Sequence, residues 1–224
     1  MKRRAVLGLG AAAALLATHR AQSGTPGDTA AWFDAASLGD VLQLQRLAAA
    51  GMPIDRRDAA GRTALLRATA ANRIDAARWL IEHGADVNAK DAIDDSPYLL
   101  AGARGHTEIL RLTLAAGADL RSTNRYGGTA LIPAAHYGHV KTVRLLLGTA
   151  VDVNHVNRLG WTALLEAIIL GDGGAAHTEI VRLLLAAGAR HDIADAQGVT
   201  PLAHARQRGQ SANVALLQAA GARQ

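Results

Sequence analysis

The sequence predicts an all-α repeat solenoid of about six helix-turn-helix units linked by short β-hairpin-like fingers. Three observations carry that prediction. Gly51-Met52-Pro53-Ile54-Asp55, Gly84-Ala85-Asp86-Val87-Asn88, Gly117-Ala118-Asp119-Leu120, Ala150-Val151-Asp152-Val153-Asn154, Gly188-Ala189-Arg190 and Gly221-Ala222-Arg223 succeed one another at intervals of 33, 33, 33, 38 and 33 residues. Thr63, Ser96, Thr129, Thr162 and Thr200 keep the same steps, and Gly39, Asn72, Gly105, Gly138, Gly171 and Gly209 keep them with the extra five in the last interval. Half of the 224 residues are hydrophobic but only 3% are aromatic, so aliphatic side chains must fill the core. A fixed period of this length marks stacked supersecondary units, each of which buries its apolar face only against its neighbours.

The chain opens on a segment outside that register. Met1-Lys2-Arg3-Arg4 is a basic start, Ala5 to Ala17 is apolar, and Ala21-Gln22-Ser23 is a small-x-small cleavage pattern, so residues 1–23 read as a cleavable export signal. Thirteen apolar residues are too few to span a bilayer. The Arg3-Arg4 pair resembles a twin-arginine signal, and either export route leads to a soluble periplasmic protein. Lys2, Arg3, Arg4 and Arg20 also account for most of the net charge of +5; the remainder carries 20 basic against 19 acidic side chains. So balanced a body predicts neither a nucleic-acid partner nor membrane attachment after cleavage. The absence of cysteine excludes disulfides, thiolate metal sites and a cysteine nucleophile. Residues 24–30 read as a linker, followed by units at about 31–56, 57–89, 90–122, 123–155, 156–193 and 194–223.

Within one unit the physics is local. Thr129 is placed to cap a helix from Ala130 to Tyr137, because a threonine hydroxyl accepts a free amide of the first turn. Gly138 breaks that helix, and His139 to Gly148 forms the second, with Val140, Val143, Leu146 and Leu147 on one buried face. Gly84, Gly117 and Gly188 supply the left-handed residue that stops the equivalent helices. Ala150 lacks that freedom, which implies strain of about 1 kcal/mol unless Gly148 takes over the stop. Asp58, Asp91, Asn124, Asn157 and Asp195 each precede a glycine or its substitute by three residues and predict Asx turns at the finger tips.

Asn124 to Leu147, with the Thr-Ala-Leu-Ile-Pro-Ala-Ala-His-Tyr-Gly-His run at its centre, resembles the ankyrin repeat, as do Asp195 to Ala203 and Gly84 to Ala89. The likeness covers roughly residues 31–223. It implies helix pairs, protein-binding function and a role for His106, His139 and His177 in holding the interhelical turns. The histidine expected after the Thr-Pro-Leu element is replaced by Leu66, Leu99, Ile132, Leu165 and Ala203, so aliphatic packing is expected where polar bracing between units is usual. The first unit, lacking a finger, reads as an N-terminal cap; Arg206, Gln207, Arg208, Gln210 and Gln218 suit the opposite cap. Trp32, Phe33, Trp79 and Tyr98 fall in core or cap register.

No constellation for chemistry emerges. His136 and His139 are separated by a helix break, the Gly171-Asp172-Gly173-Gly174 run lacks the strand and Lys-Ser/Thr of a phosphate loop, and no serine sits in a nucleophile elbow. The reading is therefore a non-enzyme without cofactor or metal, a monomer that binds another protein. By the resemblance, the outward positions are those flanking each finger's glycine and the last two before the interhelical glycine. In units four and five these positions gather Arg125, Tyr126, His136, Tyr137, Arg158, Leu159, Trp161, Ile169 and Leu170, an apolar and aromatic centre edged by arginine of the kind that dominates interfaces. The five-residue insertion near Asp172 to Ala176 is expected to extend this patch as a loop. An exported adaptor that docks and stabilises or regulates its partner is the first reading, and an inhibitor or immunity-like protein covering an exported enzyme the alternative; a small-ligand sensor or enzyme using the groove is the distant alternative.

Overall fold

The computed structural model describes residues 25–223, so the proposed export signal lies outside the described residues. Twelve helices alternate in two series, with no strand among the described residues. The first helices of the units are α1 (Pro26–Leu38), α3 (Ala64–Ala70), α5 (Pro97–Ala103), α7 (Leu131–His136), α9 (Ala163–Ile169) and α11 (Pro201–Gln207). The second are α2 (Val41–Ala49), α4 (Ile74–Glu82), α6 (Thr107–Ala115), α8 (Val140–Leu147), α10 (Ala175–Ala186) and α12 (Ser211–Ala219). Each helix pairs within its unit, and each series packs unit upon unit, so the solenoid grows by nearest-neighbour burial alone. Where a linker was expected, α1 starts at Pro26: Thr25 and Asp28 form a capping box, and proline is favoured in a first turn because its missing amide costs nothing there.

The core lies between the layers. Leu44, Leu80, Ile109, Leu110, Val143, Leu146, Ile180, Val181, Leu184 and Leu217 from the second helices are fully or almost fully buried, each contributing about 1.5–3 kcal/mol of burial. The first helices approach closely enough that a Cβ on Gly102 would lie 2.8 Å from the Cβ of Ala130. Trp32, Phe33, Trp79 and Tyr98 are buried, as their register implies.

Thr63, Ser96, Thr162 and Thr200 each accept the amide three residues on and cap their helices. Thr129 does not, and its hydroxyl is buried without a partner. The cause is Pro133. In the other units the residue four beyond the cap donates its amide to the capping residue's carbonyl; proline has none, so Ile132 N–H turns to the Thr129 carbonyl (3.2 Å) and leaves the hydroxyl unused. A second correction concerns the end of α8. Ala150 is not left-handed, and Gly148 has φ −80°, so neither takes the role of the stop glycine. Elsewhere the residue after that glycine donates back to the helix, as Ala118 N–H does to Thr113 O. Here the Thr149 hydroxyl bridges the gap, donating to Leu146 O (2.6 Å) and accepting from Val151 N–H (3.3 Å).

Polar bracing between units is present after all, at other positions. Asp55, Asn88 and Asn154 accept the backbone amides of Asp86, Asp119 and Arg190 in the next unit. From unit two on, a side chain at or near the start of the second helix reaches back to the end of the preceding unit's first helix, as Arg73 Nε donates to Ser37 O and Gln210 Nε2 to Ile168 O. Gln210 is therefore buried, not an exposed cap residue. His106 is the exception, its Nε2 unpartnered, because Arg104 already donates to the equivalent carbonyl, Ala70 O.

The insertion is not a simple loop. Gly173, at φ +69°, supplies the left-handed turn that the repeat ladder assigned to Gly171, and Ala175 and Ala176 already belong to α10. The extra residues thus add a helical turn, making α10 12 residues long. His177 consequently lies inside α10, yet still meets His136 O through Nε2 at 2.8 Å, with Nδ1 2.8 Å from Asp172 Oδ1.

Candidate functional site

The finger tips are set by one side chain each. Asp58, Asp91, Asn124, Asn157 and Asp195 accept two backbone amides apiece through Oδ1, two and four residues ahead, closing the Asx turns that the sequence predicts. Adjacent tips are joined by backbone bonds such as Arg158 N–H to Tyr126 O (2.9 Å). Arg158 Nη1 also donates to Arg125 O at 2.9 Å, so Arg158, though exposed, staples the fingers of units four and five.

Between these two fingers and helices α7 and α9 lies a pocket of about 290 Å³. Six of the sequence-derived candidates line it: Arg125, Tyr126, His136, Tyr137, Leu159 and Leu170. Tyr126, Tyr137, Leu159 and Leu170 are large exposed side chains, Tyr137 being 60% accessible. Stacking fixes the aromatic walls. The His136 and Tyr137 rings lie 4.2 Å apart and nearly parallel, and the Arg125 guanidinium sits 5.2 Å over the Tyr126 ring while pairing with Asp95 at 3.4 Å.

Three candidates fall elsewhere. Ile169 is only 7% exposed, so the expectation that it faces outward is corrected: on α9 it is the last of a run of seven buried residues. Trp161 is half-buried beside the Asx turn and does not line the pocket. Asp172 is exposed but away from the pocket lining, and its carboxylate is committed to Gly174 N–H and His177 at the start of α10. Those two bonds, the Gly174 amide foremost, hold it below its usual carboxylate range.

Among the lining residues outside the sequence-derived candidates, Glu166 alone carries an ionisable side chain. Glu166, on α9, lines the pocket with 91% of its side chain buried. Its Oε1 accepts from Asn157 Nδ2 at 2.9 Å, while Oε2 is 3.7 Å from His136 Nδ1. Burial pushes the carboxyl up to about 7, against the lowering effect of the Asn157 bond; burial, then the neighbouring His177, push His136 down. The acid is therefore poised near neutrality while the imidazole is pushed toward its neutral form, and their 3.7 Å approach is not a standing ion pair. The signal for Glu166 was available as a spacing. In units two and six the residue nine beyond the Asx position faces it, Arg67 against Asp58 (2.8 Å) and His204 against Asp195 (2.7 Å), and Glu166 stands at the same spacing from Asn157.

Fold and site together define a helical repeat array with an exposed aromatic pocket on its finger side. Comparison with known proteins is consistent along the chain. The family descriptions "Ankyrin repeats (3 copies)" and "Ankyrin repeats (many copies)" match residues 98–195 and 33–81. A crystal structure of an ankyrin repeat domain from Acinetobacter baumannii AYE is 59% identical with a TM-score of 0.83, over 86% of this chain and 98% of that one. The ankyrin repeat protein EF0377 is 40% identical with a TM-score of 0.80, over 84% and 96%. A putative ankyrin repeat protein of Escherichia coli K12, YahD, is 51% identical over 57 residues, which span 25% of this chain and 28% of that protein. The chain belongs to the ankyrin-repeat family. Such repeats generally mediate protein–protein interaction and are typically non-enzymatic. Among the described residues no three metal-ligating side chains converge, and no helix is long and apolar enough to cross a membrane.

Proposed function

We propose that the protein is an exported, non-enzymatic docking module that holds and regulates another protein in the periplasm, through the face formed by units four and five. The observation that carries the reading is the clustering of Tyr126, Tyr137, Leu159 and Leu170, exposed large apolar side chains, around one pocket edged by Arg125. Rigid aromatics and arginine around a pocket are what concentrates binding energy at interfaces. The basic, apolar leader at residues 1–23 supports export.

The test is capture from a periplasmic extract by the chain beginning at Gly24, with the retained protein identified by mass spectrometry. Changing Tyr137 and Leu170 together to Ala should abolish capture with the helical circular dichroism unchanged, because both side chains are exposed. Undiminished capture would remove this face from consideration. An activity assay on the captured protein separates an adaptor from an inhibitor.

A further inference from the structure

Building on the docking face just described, we propose that the pocket between units four and five receives one basic side chain, lysine or arginine, from the partner protein, with the Glu166 carboxylate as its counter-charge and the Tyr126 and Tyr137 rings beside it. The pattern of the repeat supplies the first argument. At the position nine beyond the Asx residue, unit two pairs Arg67 with Asp58 and the sixth unit pairs His204 with Asp195. Unit five alone sets an acid there, and its Asx residue is the neutral Asn157. Asn157 satisfies Oε1, but Oε2 has no hydrogen-bond donor; His136 Nδ1, at 3.7 Å, is too far. Oε2 keeps contact with the water of the pocket, but a carboxylate with 91% of its side chain buried and no cation beside it carries a desolvation penalty, which is relieved when a cation arrives.

The surroundings offer no substitute from within the chain. Arg125, on the preceding finger, is engaged by Asp95 and lies over Tyr126. Burial, and then His177 of α10, push His136 on α7 toward its neutral form. Helix α11, packed on another side of α9, contributes nothing to the lining. The lining does suit a cation with an aliphatic stem: two exposed tyrosine rings attract positive charge, and Leu159, Leu170, Ile132 and Pro133 contact hydrocarbon. At about 290 Å³ the pocket matches the bottom of the range for small-ligand sites, which suits one side chain better than a larger molecule.

The probes are acetyl-arginine amide and acetyl-lysine amide, with acetyl-norleucine amide as the uncharged control, titrated into the full repeat array and followed by NMR at the Glu166 carboxyl carbon and the Asn157 side-chain amide. Both cationic probes should bind at least about tenfold more tightly than norleucine, and Glu166→Gln should bring them to the norleucine level. Because the ionised carboxylate is the receptor, affinity should fall about 30-fold from pH 8 to pH 5.5, following the ionised fraction of an acid that titrates near 7; protonation of His136 works in the same direction. Equal binding of norleucine, indifference to Glu166→Gln, or no binding by any probe overturns the inference. The docking reading is judged separately. Loss of partner capture in the Tyr137 and Leu170 variant with no cation binding defeats only the basic-anchor inference, whereas cation binding at Glu166 with capture untouched defeats the docking face.

Discussion

Glu166→Gln replaces a buried acid with an amide of the same shape that can still accept from Asn157, so its effect on stability isolates the ionisation of a single group. Burial raises the carboxyl from 4.5 in the open chain to about 7 in the fold. Between those values the folded state holds a proton that the unfolded chain has released. Stability of the parent relative to the variant is therefore complete below about pH 4.5, declines as pH rises, and levels off above 7. The full shift corresponds to at most about 3.4 kcal/mol, and because the pocket opens to water, screening reduces the expectation to about 2 kcal/mol. With a urea slope of about 2 kcal/mol per molar, the midpoints of parent and variant should separate by a further ~1 M between pH 4.5 and 8.5, the variant becoming the more stable. Urea titrations at half-unit pH steps measure this. His136 titrates in both proteins and largely cancels in the difference. A gap that stays constant, or opens toward the parent as pH rises, would refute the assignment of Glu166 as a buried acid without a counter-charge.

The turn after α8 and the finger of unit two give further tests by chemical and thermal unfolding. Thr149→Val removes the hydroxyl that joins Leu146 O to Val151 N–H and should cost about 1–2 kcal/mol. Ala150→Gly should be neutral or destabilising by up to about 1 kcal/mol, since Ala150 is not left-handed and glycine only adds freedom to the unfolded chain; a gain in stability would contradict this. At Asp58 burial acts upward, but bonds from Arg67, Arg62 and the Ala60 amide hold the carboxyl at about 2. Its contribution is present above pH 3.8 and lost as pH falls through 2; Asp58→Asn should flatten that acid limb by about 1 kcal/mol once screening is counted, and an unchanged limb would count against the pairing.

The architecture was legible because it rests on residues that act locally. The Asx residues close their own fingers within four residues, and the glycine after each of α4, α6 and α10 is left-handed at the place the repeat assigns. Where the period misled, a neighbour in the chain had changed the local hydrogen bonding. Pro133 takes away the amide on which the usual cap of α7 depends, and Thr149 replaces a backbone stop with a hydroxyl. The insertion was visible as five extra residues, but its conversion into a turn of α10 depends on Gly173 moving the break two residues on from Gly171 and on Asp172 serving the new helix start.

The site was less legible for a related reason. Outward positions inferred by resemblance give exposure, and for Tyr126, Tyr137, Leu159 and Leu170 the inferred position and the exposed side chain coincide. They fail for Ile169, because exposure at the end of a first helix varies with what packs against it, and the last turn of α9 is buried on all sides. They also pass over Glu166, which a reading of exposure assigns to the core. Its significance lies in a mismatch between two register positions nine residues apart, where Asp58 and Asp195 have basic partners while Asn157 has an acid. Packing alone gives no reason to put a carboxyl there, since leucine at the equivalent Leu100 serves the third unit; the residue that interrupts the repeat's own charge pairing is thus the one that gives the pocket a chemical preference.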